Sequence, residues 1–252
     1  MNDGIQKILH GGVGSQLMNT KIEIGAWNTL ANVDITMVLA ECFDFVYIDL
    51  EHGFRSISDL TATLNIYNLK SVEYSVRIRN FEDPLIQTLL DLGVRNFIVP
   101  QLRSMDEFNT FKKKIVFPPH GTRGLHPRSK LNANIPRGEA LTITVIIETV
   151  EALGLLEEFA LDDLVSGLYL GVFDLSMELG IQEGPFSEGL TKYYGEVNDI
   201  CKSTNKQFVA MLPEGEDFSF VRAHKLDRVV AGIDSILLHH FYASFISNLR
   251  ST

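Results

Sequence analysis

Two stretches decide the fold: Thr142-Ile143-Thr144-Val145-Ile146-Ile147-Glu148-Thr149 and Gly167-Leu168-Tyr169-Leu170-Gly171-Val172-Phe173-Asp174. Each is a short, apolar, β-branched run that closes on a carboxylate, the pattern of a strand buried in a parallel sheet. A third run of the same kind is Phe45-Val46-Tyr47-Ile48-Asp49-Leu50-Glu51-His52. In an α/β barrel the reactive residues collect where the strands end. Two acids there, one βα unit apart, are placed to share a divalent metal through oxygen donors. Any one strand-end acid also serves as a helix N-cap; acids and a histidine at three strand ends point to a metal-assisted site.

Outward from these runs the same pattern repeats. Candidate strands are Ile22–Trp27, Phe45–Asp49, Tyr74–Ile78, Asn96–Pro100, Thr142–Glu148, Gly167–Leu170, Gln207–Met211 and Arg228–Ile233, with amphipathic stretches between them. That alternation predicts βα units, and eight of them predict a closed (β/α)8 TIM barrel rather than an open doubly wound sheet. Between strands, Pro84–Leu92 is expected to be helical, with Asp83 as N-cap, Pro84 in the first turn and Gly93 as C-cap. Val150–Leu161 and Ser187–Asn205 also have helical spacing. Two connections are long, one from Leu102 to Leu141 and one after Asp174. Long loops at strand C-termini are where barrels build substrate sites. No repeat, linker or low-complexity tract divides residues 1–252, so one domain is expected.

The bulk properties exclude several classes. The chain has 252 residues, 45% hydrophobic and 21% charged, enough for a full core and unlike a disordered chain. Its net charge of -10, with Lys112-Lys113-Lys114 as the longest basic run, argues against nucleic acid as a partner. The two cysteines, Cys42 and Cys201, form no C-x-x-C, which fits a reduced, cytoplasmic protein better than a disulfide or zinc scaffold. No apolar stretch is long enough to span a bilayer, and Met1-Asn2-Asp3-Gly4 does not begin as a signal peptide does. Gly11-Gly12-Val13-Gly14-Ser15 lacks the lysine of a phosphate loop. His239-His240 reads as a helix surface or a subunit contact.

With these residues in view, the chain resembles the HpcH/HpaI aldolases, the metal-dependent class II pyruvate aldolases. The resemblance runs from Ile24-Gly25-Ala26-Trp27 to Val230-Ala231-Gly232-Ile233-Asp234. It is strongest at Phe43–Gly53, at Phe117-Pro118-Pro119 with Gly121-Thr122-Arg123-Gly124, at Ile147-Glu148-Thr149 and at Asp174-Leu175-Ser176. It implies a barrel, a hexamer with the C-terminal helix exchanged between subunits, and a reversible aldol reaction between a 2-oxo acid and an aldehyde. By the same resemblance Glu148 and Asp174 hold Mg²⁺, Mn²⁺ or Co²⁺, Arg77 holds the pyruvate oxygens, and His52 with Asp49 transfers protons. Trp27, Gly171, Phe173, Arg123 and Arg128 complete the expected substrate-binding set. The residue types suit the chemistry: a cation and an arginine stabilise an enolate, and a histidine titrates near neutrality.

The chain departs from the family pattern at three places. Ile146 stands where the family commonly has glutamine. Phe173 replaces a small residue beside the metal-binding Asp174 and is expected to shrink or reshape the pyruvate pocket. The segment after Arg77 is one residue longer, so Arg79, on the same strand face, competes with Arg77 as the substrate arginine. Arg123, His126 and Arg128 offer charge for an acidic acceptor or for a neighbouring subunit's acids. Two other functions remain open on sequence grounds: an oxaloacetate-type decarboxylase using the same enolate, and a barrel that has lost catalysis and serves as an assembly or binding subunit.

Overall fold

A computed structural model describes residues 22–53, 55–125, 141–183, 186–213 and 218–251. Its strands are β1 (Glu23–Asn28), β2 (Phe45–Asp49), β3 (Glu73–Arg77), β4 (Asn96–Val99), β5 (Thr142–Ile147), β6 (Val165–Leu170), β7 (Gln207–Met211) and β8 (Arg228–Ile233). All pair in parallel and in chain order, and β1 pairs with β8, so the sheet closes into a barrel. The expected TIM-barrel architecture is present, and every strand read from the sequence lies within two residues of an observed one.

The helices fall between the strands: α1 (Val33–Cys42), α2 (Ile57–Lys70), α3 (Ile86–Leu92), α4 (Met105–Ile115), α5 (Val150–Leu153), α6 (Leu156–Ala160), α7 (Val172–Glu178), α8 (Glu188–Thr204), α9 (Phe218–Ala223) and α10 (Asp234–Arg250). Two expectations need correction. Helix α3 starts at Ile86, not Pro84, and Asp83 does not cap it. The Asp83 carboxylate accepts the Leu85 amide at 2.8 Å and is held by the Arg79 guanidinium, so it fixes a turn ahead of the helix. The single helix expected over Val150–Leu161 breaks at Gly154 into α5 and α6. Helix α8 ends as read, with Asn205 in the left-handed conformation at φ 57°.

Two separate apolar clusters follow from the two-residue period of the strands. Outward-facing residues pack against the helices. Inward-facing residues Trp27, Phe45, Tyr47, Ile98, Ile146, Tyr169, Val209, Met211 and Val230 fill the barrel. Gly25 makes room for this filling, since a Cβ there would lie 2.2 Å from the Phe45 ring. At the strand N-termini Arg228 plugs the bottom. It donates to Glu23 at 2.6 Å and to Glu73 at 2.7 and 2.8 Å, and lies over Phe45 at 4.2 Å.

The same period carries charge to the top. Along β2 the inward series is Phe45, Tyr47, Asp49; along β3 it is Glu73, Ser75, Arg77. Continuing β5 past Ile146 gives Glu148, and continuing β6 past Tyr169 gives Gly171. One alternation thus fills the barrel with apolar side chains and delivers charged ones to its C-terminal mouth.

Candidate active site

Asp49 is almost fully buried and is saturated with hydrogen bonds. Its carboxylate accepts from Arg77 Nε at 2.9 Å and Arg77 NH2 at 2.6 Å. It also accepts the backbone amides of Glu51 at 2.9 Å and His52 at 3.3 Å. This turn is the local structure an aspartate favours when its side chain bonds amides two or three residues on. It holds the loop after β2 so that Glu51 faces the third nitrogen of the same guanidinium, with Arg77 NH1 3.1 Å from Glu51 Oε2.

Arg77 lies over the Trp27 ring at 4.4 Å, and the Trp27 indole N–H donates to the Tyr169 hydroxyl at 3.3 Å. Burial pushes the Tyr169 phenol up to about 12, so it stays protonated at neutral pH. The two arginines differ in their partners. Arg79 is half exposed and tied to Asp83; Arg77 lies among the acids and feels the charge of Asp49, Glu51 and Glu148.

Glu148 is a second buried acid of the cluster. Its Oε1 accepts the Gln101 amide at 2.7 Å. Gln101 has φ 59°, a left-handed conformation that side chains other than glycine seldom adopt. Burial, helped by the charges of Glu51 and Asp174, pushes the Glu148 carboxyl up to about 8 against the pull of the Gln101 amide and Arg77. Burial likewise raises Glu51, opposed by Arg77. Glu148 is not a helix cap: the N-cap of α5 is Thr149, whose hydroxyl accepts the Ala152 amide at 3.1 Å. Asp174 is half-buried in the first turn of α7, where the helix dipole favours an anion.

The donor set suits a divalent cation. Glu148 feels Glu51 and Asp174 as like charges and Arg77 as the opposing one, and burial raises the carboxyls of both glutamates. Gly171 keeps the space clear, since a Cβ there would lie 2.8 Å from Glu148 Cβ and 3.1 Å from Glu148 Oε2. Among the described residues no group of three or more His, Cys, Asp or Glu side chains is arranged to hold a metal. A cation here would therefore rest on two carboxylates and take its other oxygens from substrate or water, as Mg²⁺ commonly does.

The other expected site residues are spread out. His52 projects outward, 66% exposed, with Nε2 3.9 Å from Glu51 Oε2; Asp49 reaches it only through its backbone amide. The Phe173 ring is 49% exposed and stands edge-on to Phe186 at 5.5 Å, rather than being packed into the acid cluster. Ile146 belongs to the apolar barrel filling. Arg123 follows α4 and lies over Phe117 at 4.3 Å, with Asp91 at the end of α3 as its charged neighbour. These are the helix ends away from the strand C-termini, so Arg123 is remote from Glu148. His126 and Arg128 lie outside the described residues. Sequence reasoning gave no chemistry to Glu51 and missed Gln101. Glu51 was visible as a third acid in the β2 ending; Gln101 acts through its backbone and left no side-chain signal.

The family profile for HpcH/HpaI aldolase/citrate lyase matches residues 24–238. The chain belongs to this family. Among HpcH/HpaI relatives, a 4-hydroxy-2-oxovalerate aldolase from Rhodococcus jostii (strain RHA1) is 26% identical over 230 residues, covering 88% of this chain and 89% of its own. A 5-keto-4-deoxy-D-glucarate aldolase from Citrobacter koseri (strain ATCC BAA-895 / CDC 4225-83 / SGSC4696) is 30% identical over 168 residues, covering 64% of this chain and 65% of its own. The crystal structure of an HpcH/HpaI aldolase from Desulfitobacterium hafniense DCB-2 superposes with a TM-score of 0.82 at 20% identity, covering 92% of this chain and 94% of that one. The last likeness bears on the fold. The HpcH/HpaI membership makes the chain a lyase of the aldolase type.

Proposed function

We propose that this enzyme makes or cleaves a 2-oxo acid, such as a 2-keto-3-deoxy sugar acid, through a pyruvate-type enolate, with Glu148 and Asp174 holding a divalent cation. The observation that carries the reading is the buried Glu148, pushed up to about 8 beside two further carboxylates at the strand ends. When bound, Mg²⁺, Mn²⁺ or Co²⁺ would supply Lewis-acid charge to the keto and carboxylate oxygens.

The chain's own groups do the rest. Arg77 is pre-aimed by Asp49, Glu51 and Trp27, so it offers fixed positive charge to the oxyanion without reorganising. Asp49 shapes the loop that presents His52, and His52 at the open edge moves the proton between substrate and water. Trp27 and Tyr169 close the floor beneath and keep water from the face of the donor. The residues following Gly171 line the side from which the aldehyde enters.

Proton NMR of pyruvate in D₂O, with each metal and with excess EDTA, tests this reading without knowledge of the aldehyde. Metal-dependent loss of the methyl signal is expected from the native enzyme, and its absence from Glu148→Ala and Asp174→Ala. Full exchange in either variant would overturn the assignment of the metal ligands.

Residues 1–252 are proposed to act as one domain and to assemble through α10, whose Ile236, Phe241, Tyr242, Phe245, Ile246 and Leu249 are exposed. Apolar exposure on this scale marks an association surface. A hexamer with exchanged C-terminal helices is the expected form, measured by light scattering. Among the described residues no helix is long and apolar enough to cross a membrane, and two free cysteines support a reducing, cytoplasmic setting.

A further inference from the structure

The connection between β6 and α8 forms one side of the barrel mouth, and it is unusually apolar. Phe173 immediately precedes Asp174, is 49% exposed and meets Phe186 edge-on. Met177, one helical turn further on, is 80% exposed. An aromatic pair and a methionine left in water beside a cluster of acids cost free energy unless something apolar covers them in use.

The charges at the same rim point the same way. Among the described residues that follow the strand ends, the arginines are Arg55, Arg77, Arg79 and Arg103. Arg55 donates to Thr63 and to the carbonyls of Asn28 and Leu30. Arg77 is held by Asp49 and Glu51, and Arg79 by Asp83. Arg103 is held by Glu151 and Glu178. His52 faces Glu51, and Arg123 is on the other end of the barrel. No described cation at the rim is left for a second carboxylate, while Asp49, Glu51, Glu148 and Asp174 already outnumber the positive charge of Arg77. A bound 2-oxo acid adds its own negative charge.

We infer that the acceptor of this enzyme is a neutral aldehyde with an apolar tail, which lies against Phe173, Met177 and Phe186 beside Asp174. The inference rests on the aldolase reading and adds the substrate class of its second half. In the bond-forming step the methyl carbon of the 2-oxo acid gives up a proton to the His52 side of the site. The electron pair left behind forms the new bond to the aldehyde carbon. The carbonyl π pair moves onto the aldehyde oxygen, which takes up a proton to become the hydroxyl of a 4-hydroxy-2-oxo acid. Neither reactant is oxidised or reduced overall, and no third reactant is consumed. An aldehyde that carries its own carboxylate would bring that charge to a rim whose described arginines are already paired.

Butanal and succinic semialdehyde test this directly, because both have four carbons and differ by a terminal carboxylate. Each is supplied with pyruvate and metal to the full-length enzyme, and kcat/KM is measured for both. Butanal is expected to be favoured by about tenfold or more, the scale of discrimination by an apolar pocket. Phe173→Ala should lower that ratio severalfold, and Phe173→Arg should invert it. Because the ratio is internal to each variant, a general loss of activity does not affect it. A native preference for succinic semialdehyde, or a ratio unmoved by both substitutions, would overturn the inference while leaving the aldolase reading intact. A change in oligomeric mass on Phe173→Arg with no change in ratio would overturn it too, by assigning the apolar lip to a subunit contact. Failure of the native enzyme to exchange the pyruvate methyl protons would remove the aldolase reading and the inference with it.

Discussion

Glu148 makes cation binding a proton-linked event. Its carboxyl is pushed up to about 8, so at pH 7 about nine-tenths of the free protein carries a proton there. A divalent cation needs the ionised form. Binding at pH 7 should therefore release about 0.9 proton, falling to about 0.5 at pH 8 and near zero above pH 9. Apparent affinity should rise close to tenfold per pH unit up to about pH 8 and then level off. Folding carries the matching signature. The folded value lies above the ordinary 4.5, so the neutral acid's contribution to stability is complete below pH 4.5 and is lost as pH rises through about 8. One pH unit corresponds to about 1.4 kcal/mol, so at most about 5 kcal/mol of metal-free stability is lost across that window. Isothermal titration of Mn²⁺ into the protein in buffers of different ionisation enthalpy measures the released proton. Denaturant melts at pH 5 and pH 8, with and without metal, measure the rest. Glu148→Gln should abolish the buffer dependence and flatten the pH profile. Metal binding with no buffer-dependent heat at pH 7 would refute the reasoning, because Glu148 would then be either already ionised or not a ligand.

The remaining expectations concern the groups that shape the site. Gly171→Ala puts a methyl 2.7 Å from Ile146 Cγ2 and 2.8 Å from Glu148 Cβ. Overpacking of this kind costs about 1–3 kcal/mol, and the displaced carboxylate should weaken Mn²⁺ binding by about tenfold or more; calorimetry checks both, and an unchanged affinity would mean Glu148 is not crowded by that position. Arg103 joins the segment carrying Gln101 to Glu151 beyond β5 and to Glu178 at the end of α7. Arg103→Ala should hardly move the melting temperature but should raise the metal concentration for half-maximal activity, with the gap closing at high salt as screening weakens the native clasp. Arg228→Ala strips the bottom plug and strands Glu23 and Glu73, so chemical denaturation should show a loss of about 3 kcal/mol. Since Arg228 is at the opposite end of the barrel, pyruvate exchange by the folded fraction should be preserved.

How far the sequence discloses this molecule depends on whether an interaction follows the chain or crosses it. The strands were legible because a barrel buries both faces of each one, which demands the short β-branched runs seen at Thr142–Ile147 and Phe45–Asp49. The strand-end acids were legible for the same reason: an inward series that turns from Ile146 to Glu148 changes chemistry where the barrel opens. Helix ends were less so. Asp83 before Pro84 is a good cap by type, but Arg79 and the Leu85 amide take its carboxylate, and no local pattern announces that competition.

Within the site, alternation placed Arg77 and Arg79 on one face; Asp49 at the end of β2 and Glu51 just beyond it hold Arg77 through contacts 28 and 26 positions away in the chain. The substitution at Phe173 was legible as a departure, but not its direction. A ring beside a small, polar site reads as an obstruction, and its edge-on contact with Phe186, from further along the same connection, has no local signal in the sequence. The Gln101 amide was invisible in principle, since any residue except proline supplies an N–H and only the φ of 59° aims it at Glu148. Its side chain can therefore vary while the bond persists. Gln101→Gly should keep the Glu148 contact and relieve the left-handed strain, whereas a β-branched residue should disturb it. If Gln101→Val bound Mn²⁺ as tightly as Gln101→Gly, the backbone at this position would not be what holds the acid in place.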